Sequence, residues 1–169
     1  LDRLAARDLI APGTRHIFCR GDLVIWVRQD SPLHLESLND LATPAVKRIA
    51  IAHPDYAPYG AAARQALVAA SLWEHLEPKL VLGRTVRQAL QYAETGDVDA
   101  AVVPLALATR AGGRWLDVPS ALVRPVDQSI AVIASSRLDS HALEFVEFLL
   151  SPTVQAILRR HGFRSLDQA

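Results

Sequence analysis

The sequence has little that reacts and little that carries unbalanced charge. A single cysteine, Cys19, stands among 169 residues. One thiol forms no internal disulfide and no metal-type spacing surrounds it, so it reads as a half-buried strand residue. Basic and acidic residues balance at 18 each, for a formal net charge of zero. That balance offers no field for nucleic acid or an anionic membrane surface. The arginines are scattered, and the only adjacent two, Arg159 and Arg160, suit the C-terminal end of a helix. The six histidines (16, 34, 53, 75, 141, 161) lie too far apart in sequence for a local metal motif. No apolar run approaches the ~18–20 residues of a membrane span. G-x-S-x-G, P-loop, G-x-G-x-x-G and H-E-x-x-H signatures are all missing. No signal peptide is present, but the opening "LDRLAARDLI" reads like the middle of a helix. The chain is therefore read as a fragment or a processed product, and the missing signal says little about location.

What is present is core-forming. Half of the residues are hydrophobic, enough for a proper core. "LDRLAARDLI" predicts a short amphipathic helix ended by Pro12-Gly13. "DLVIWVRQ" (22–29), "KRIAIAH" (47–53), "KLVLG" (79–83), "DAAVVP" (99–104) and "SIAVIAS" (129–135) predict strands. "LESLNDLA" (35–42) predicts a short helix with Leu35, Leu38 and Leu41 on one side, and "LWEHLEP" a helical turn stopped by Pro78. A helix follows Pro58 to about Ser71, and "LALATRAG" gives a further turn. "TVRQALQYAETG" (85–96) has Val86, Ala89, Leu90 and Ala93 at i, i+3, i+4, i+7, with Thr85 as cap and Gly96 as stop. "HALEFVEFLL" (141–150) places Ala142, Phe145, Val146, Leu149 and Leu150 on one face. Ser151-Pro152 opens a last helix that ends at Gly162. Strands alternating with helices predict an α/β fold with mainly parallel pairing.

Two βα corners stand out. "HPDYAPYGAAARQAL" (53–67) and "GRTVRQAL" (83–90) each carry a strand into a helix. In open α/β sheets, ligands collect beyond the carboxyl ends of strands, where helix starts present unpaired N–H groups and partial positive charge. Pro58 would rigidify the first approach, Gly60 would let a ligand come close to the peptide, and Tyr59 adds a hydroxyl. An ordinary loop-to-helix turn would look similar. Asp97 and Asp99 flank Val98 and could work as paired carboxylates, although a solvated Asp97 and a strand-starting Asp99 explain them as well. His53, Asp55 and Tyr56 are the nearest candidates for an enzyme, and nothing pairs them convincingly.

"LESLNDLATPAVKRIAIAHPDYAPYGAAARQAL", "LWEHLEPKLVLGRTVRQALQYAETGDVDAAVVPLALA" and "FVEFLLSPTVQAILRRHGF", in that order, resemble the periplasmic molybdate-binding proteins of ABC importers. The resemblance implies a type II periplasmic-binding-protein fold, with residues 30–118 as a second lobe and 1–29 with 119–169 as an incomplete first lobe carrying the crossover strands. It implies molybdate or tungstate, a tetrahedral oxyanion, held in the interlobe cleft by helix N-terminal amides, with no cofactor and no enzymatic activity. Tyr59 and Val86 match the family's contact positions, as oxyanion contacts rather than direct metal ligands. Gly60 and Thr85 stand beside them. It further implies a periplasmic or extracytoplasmic location, importer membrane subunits as partners, no nucleic acid, and a monomer when full length. Other oxyanions (sulfate, thiosulfate, phosphate) and a ligand-sensing domain of a transcription regulator are the alternatives. Two departures are visible. Pro104 stands where many members have tyrosine, so Tyr59 is expected to supply the hydroxyl instead. The family's serine-rich first contact segment has no counterpart, which implies weak or undetectable oxyanion binding by this stretch alone.

Overall fold

The computed structural model describes residues 1–137 and 139–165. In chain order it forms α1 (Asp2–Ala5), β1 (His16–Gly21), β2 (Leu23–Val27), a 3-10 turn (Leu38–Ala42), β3 (Ile49–Ala52) and α2 (Pro58–Ala69). Next come α3 (Trp73–Leu76), a 3-10 turn (Glu77–Lys79), β4 (Leu80–Gly83), α4 (Val86–Thr95), β5 (Ala100–Pro104), α5 (Leu105–Ala108) and β6 (Arg114–Asp117). β7 (Val126–Ile130), α6 (Asp139–Leu150), α7 (Pro152–Arg160) and β8 (Phe163–Arg164) complete it. The chain divides into two compact units, one of Asp22–Val126 and one of Leu1–Gly21 with the chain from Asp127 onward.

The Asp22–Val126 unit is built on a five-stranded sheet of order β4-β3-β5-β2-β6. β4, β3 and β5 pair in parallel, whereas β2 joins β5 and β6 antiparallel. The α/β class stands, but the sheet is mixed rather than mainly parallel. Both faces are covered, which is why β2, β3 and β5 read as unbroken apolar runs. Side chains alternate across the pleat. Leu23, Ile25, Val27, Ile49, Ile51, Ala100 and Val102 share one cluster with Ala62, Ala63, Ala66 and Leu67 of α2. Val24, Trp26, Ala50, Ala101 and Val103 share the other with Ala89, Leu90 and Ala93 of α4. Successive helices therefore cover opposite faces of the sheet.

Polar groups pin the register of this sheet. Asp99 accepts hydrogen bonds from the amides of Lys47 and Arg48 through one carboxylate oxygen, at 2.7 and 2.8 Å, and its own amide donates to the Arg48 carbonyl at 2.9 Å. It thus ties the start of β5 to the start of β3. Asp97 accepts from the Thr95 hydroxyl at 2.7 Å and stays exposed. Asp40 accepts from the amides of Glu36 and Ser37, and these bonds hold its carboxyl below the usual range.

The other unit holds a three-stranded sheet of order β7-β1-β8, with β1 and β8 antiparallel. Ser151 caps α7 by accepting the Val154 amide at 3.4 Å, and Arg159 and Arg160 occupy its last turn. Gln155 is buried and donates to the carbonyls of Phe18 and Leu149. Several expectations shift here. The first helix is one turn, because Asp8 adopts a left-handed φ of 55° and breaks the run before Pro12-Gly13. β7 lies three residues earlier than the apolar stretch suggests, and that stretch instead forms a bridge, Ile10 to Ile133. Phe145 is 54% exposed, so the buried face of α6 is narrower than its pattern. In the first unit, the helix expected at 35–42 is a 3-10 turn that buries Leu38 and Leu41.

Cys19 lies on β1 and is only 1% exposed, more deeply buried than its sequence suggests. Burial pushes its thiol up to about 11 from 9.0. The folded state thus favours the protonated thiol. That contribution is whole below the unfolded value of 9.0 and is lost as pH rises toward about 11. Urea midpoints measured across this range should fall more for the wild type than for Cys19→Ala. Equal slopes for the two proteins would show that the thiol stays exposed to solvent.

Candidate functional site

The two βα corners meet at one edge of the sheet. β3 and β4 run parallel in a register that sets Ala52 opposite Gly83, so both strands end together. The His53 amide then donates to the Gly83 carbonyl at 2.8 Å, extending the ladder one step into the loop. From this shared edge the chain enters α2 on one face and α4 on the other.

Two glycines set how closely each helix start approaches its strand. A β-carbon on Gly60 would lie 2.2 Å from the Ala52 carbonyl oxygen and 2.8 Å from the His53 carbonyl carbon. A β-carbon on Gly83 would lie 2.8 Å from the Ala89 amide nitrogen. Gly60 is buried against the end of β3, so the space its missing side chain leaves is filled by the protein's own backbone rather than held open for a ligand.

At the first corner, Ala57 has no side chain able to cap α2, and Pro58 occupies its first turn without an N–H to satisfy. Among the described residues the Gly60 amide has no protein acceptor, since the first intrahelical bond runs from Ala61 to Ala57 at 3.0 Å. Tyr59 is half-buried and packs against the cluster on the α2 face. His53 stacks on Tyr56 with ring centroids 4.5 Å apart. Its Nδ1 accepts the Asp55 amide at 3.3 Å and lies 3.9 Å from the Asp55 carboxylate. Tyr56 is 80% exposed. The three form a local surface arrangement without an oriented nucleophile.

At the second corner, Thr85 accepts the Gln88 amide at 3.1 Å as the α4 cap, and Gly96 closes the helix at φ 83°. Gln88 Oε1 accepts the Arg84 amide at 2.6 Å. Among the described residues, the successive amides of Thr85, Val86 and Arg87 are left with no protein acceptor. Val86 is half-buried and belongs to neither core cluster, so the core stripe of α4 begins at Ala89. Gln88 is the residue that sequence reasoning passed over, although the T-x-x-Q spacing of a reciprocal cap was there to find it.

The third parallel strand closes itself. Pro104 ends β5, pairs across from Leu23 and caps α5 with no N–H of its own. The Leu105 amide donates to the Asp22 carbonyl at 2.9 Å. Among the described residues, no group of three His, Cys, Asp or Glu side chains gathers as a metal centre would require.

A family model described as bacterial extracellular solute-binding protein matches residues 1–164. The molybdate-binding protein ModA of Rhodobacter capsulatus is 30% identical over 154 residues, covering 90% of this chain and 60% of that protein. ModA of Azotobacter vinelandii is 30% identical over 89% of this chain and 61% of its own length. The solved periplasmic molybdate-binding protein of Azotobacter vinelandii superposes with a TM-score of 0.86 at 28% identity, covering 96% of this chain and 72% of that one. The chain thus spans about 60% of the length of these curated relatives.

Substituting Gly60→Ala should destabilise the Asp22–Val126 unit, since the new methyl group overlaps backbone that has no room to move. Overpacking of this kind costs about 1–3 kcal/mol. An unchanged urea midpoint would mean that α2 can shift away from β3 without loss.

Proposed function

Because this chain belongs to the bacterial extracellular solute-binding proteins, we propose that it is the ligand-binding part of an ABC importer's binding protein, taking molybdate or tungstate. The observation that carries this reading is the meeting of two uncapped or partly capped helix starts at the paired ends of β3 and β4. Tyr59 and Gly60 from the first corner, and Thr85 and Val86 from the second, are the proposed contacts. Tyr59 contributes its hydroxyl in place of the one that Pro104 lacks.

The chemistry suits a tetrahedral dianion. Backbone N–H groups and helix dipoles distribute compensating charge without a buried cation. Each charge-assisted hydrogen bond contributes about 1.5–3 kcal/mol, so a few convergent donors offset much of the cost of removing water. Neutral donors also disfavour a protonated phosphate, whose O–H needs an acceptor. Cavity size then separates molybdate and tungstate from the smaller sulfate. The protein works as an extracytoplasmic monomer whose ligand-bound form is read by importer membrane subunits, and it catalyses no reaction.

The second corner allows a clean test. Val86 is the first residue of α4, where proline is well tolerated, and Thr85 before it is extended at φ −135° and ψ 161°. Val86→Pro therefore removes one N–H and leaves the helix. In thermal-shift and calorimetric titrations, molybdate and tungstate should stabilise the wild-type chain more than equal concentrations of sulfate or phosphate. The Val86→Pro chain should fold but bind at least ~10-fold more weakly, matching the loss of one charge-assisted bond. Wild-type affinity in that variant would remove Val86 from the site, and no response to any of the four anions would end the reading of this stretch as the ligand-binding part.

A further inference from the structure

We infer that Gln88 is a positioning and specificity residue of the same site, a neutral clamp that shapes the second corner while keeping a carboxylate out of it; this rests on the oxyanion reading. In the usual reciprocal cap, the side chain three residues into the helix returns to the amide of the cap residue itself. Gln88 reaches one residue further back, to the Arg84 amide at 2.6 Å, while its own amide donates to Thr85 Oγ1 at 3.1 Å. The clamp therefore fixes the loop on both sides of Thr85 without consuming the amides of Thr85, Val86 or Arg87.

A glutamate could make the same bond to the Arg84 amide. It would make it more strongly, because a carboxylate near a helix start is stabilised by the dipole. For the unliganded protein, glutamine is thus the inferior choice. Its neutrality makes sense if the corner must admit a second negative charge.

The other helix starts of this unit follow the same division. The turns at Leu38–Ala42, Trp73–Leu76 and Glu77–Lys79 carry Asp40, Glu74 and Glu77 in their first turns. α2, α4 and α5, which start from the carboxyl ends of β3, β4 and β5, carry no acidic residue there. The charged groups near the second corner are Arg84, which is exposed, and Arg87, which pairs with Glu94 at 2.9 Å. At the first corner, the Asp55 carboxylate faces His53. Acidic residues thus stand in first turns away from these strand ends, Asp40 as a cap, and are absent from the first turns of the helices that begin there.

The test is a comparison of Gln88→Glu with Gln88→Ala. Gln88→Glu should keep or raise the urea midpoint of the unliganded chain, yet lower molybdate affinity at least ~10-fold, with the deficit shrinking as salt is added. Gln88→Ala should lose stability and affinity together, through loss of the clamp. A merely structural residue would move both quantities in the same direction in both variants. If the wild type binds and loses affinity in Val86→Pro while Gln88→Glu binds normally, the neutral-clamp inference is overturned and the site survives. If the wild type binds no oxyanion, the functional reading falls and this inference with it.

Discussion

The structure depends on the parallel pairing of β3 with β4 and on the backbone contact that prolongs it. Because Ala52 and Gly83 lie opposite one another, the two strands release their chains at the same level. The His53–Gly83 hydrogen bond then holds the first residue of one loop against the last residue of the neighbouring strand. Without that level ending, α2 and α4 would begin at different heights, and their unpaired amides would serve separate patches of solvent. The glycines at 60 and 83 enforce the same condition sterically, since each admits helix backbone where a β-carbon would collide.

The sheet also separates its charges along the strands. At the amino ends of β3 and β5, Asp99 is bound by two main-chain amides and locks both strands in place. At the carboxyl ends, the helix starts carry no acids in their first turns, and at the third the Leu105 amide is taken by the Asp22 carbonyl. Structural demand for a carboxylate is met at one edge, while free donors are left at the other. Such an arrangement lets a neutral protein present a positive potential locally, because oriented peptide dipoles do not appear in a count of ionised side chains.

The elements of the Asp22–Val126 unit were largely legible because its strands are apolar on both faces and its helices have local caps. β2, β3, β4 and β5 fall within a few residues of the sequence expectation, and α4 matches from cap to stop. The antiparallel share of the sheet was not legible, because pairing direction is decided by partners far away in sequence. The same reason hides β1, β6 and β8. "HIFCRG", "RWLD" and "FR" are short or mixed in polarity, and only distant neighbours turn them into strands. At the site, the helix starts and Thr85 could be read directly from local rules. The cause of Gly60 could not, because the atom that forbids a side chain there belongs to a strand eight residues upstream.

The proposed site, made largely from main-chain donors, has a consequence for what sequence can specify. The side chain at Val86 can change while its amide stays, provided that the helix still starts in the same place, whereas the role proposed for Tyr59 needs its hydroxyl. The residues that fix that starting place are others: Gly60 and Gly83 for close approach, and Thr85 and Gln88 for the cap. Identity at a nominal contact position is therefore weak evidence about the ligand, whereas a carboxylate introduced at position 88 would change the electrostatics while leaving every hydrogen bond of the corner in place. Selectivity in such a site lies less in which side chains touch the anion than in which charges are kept away from it.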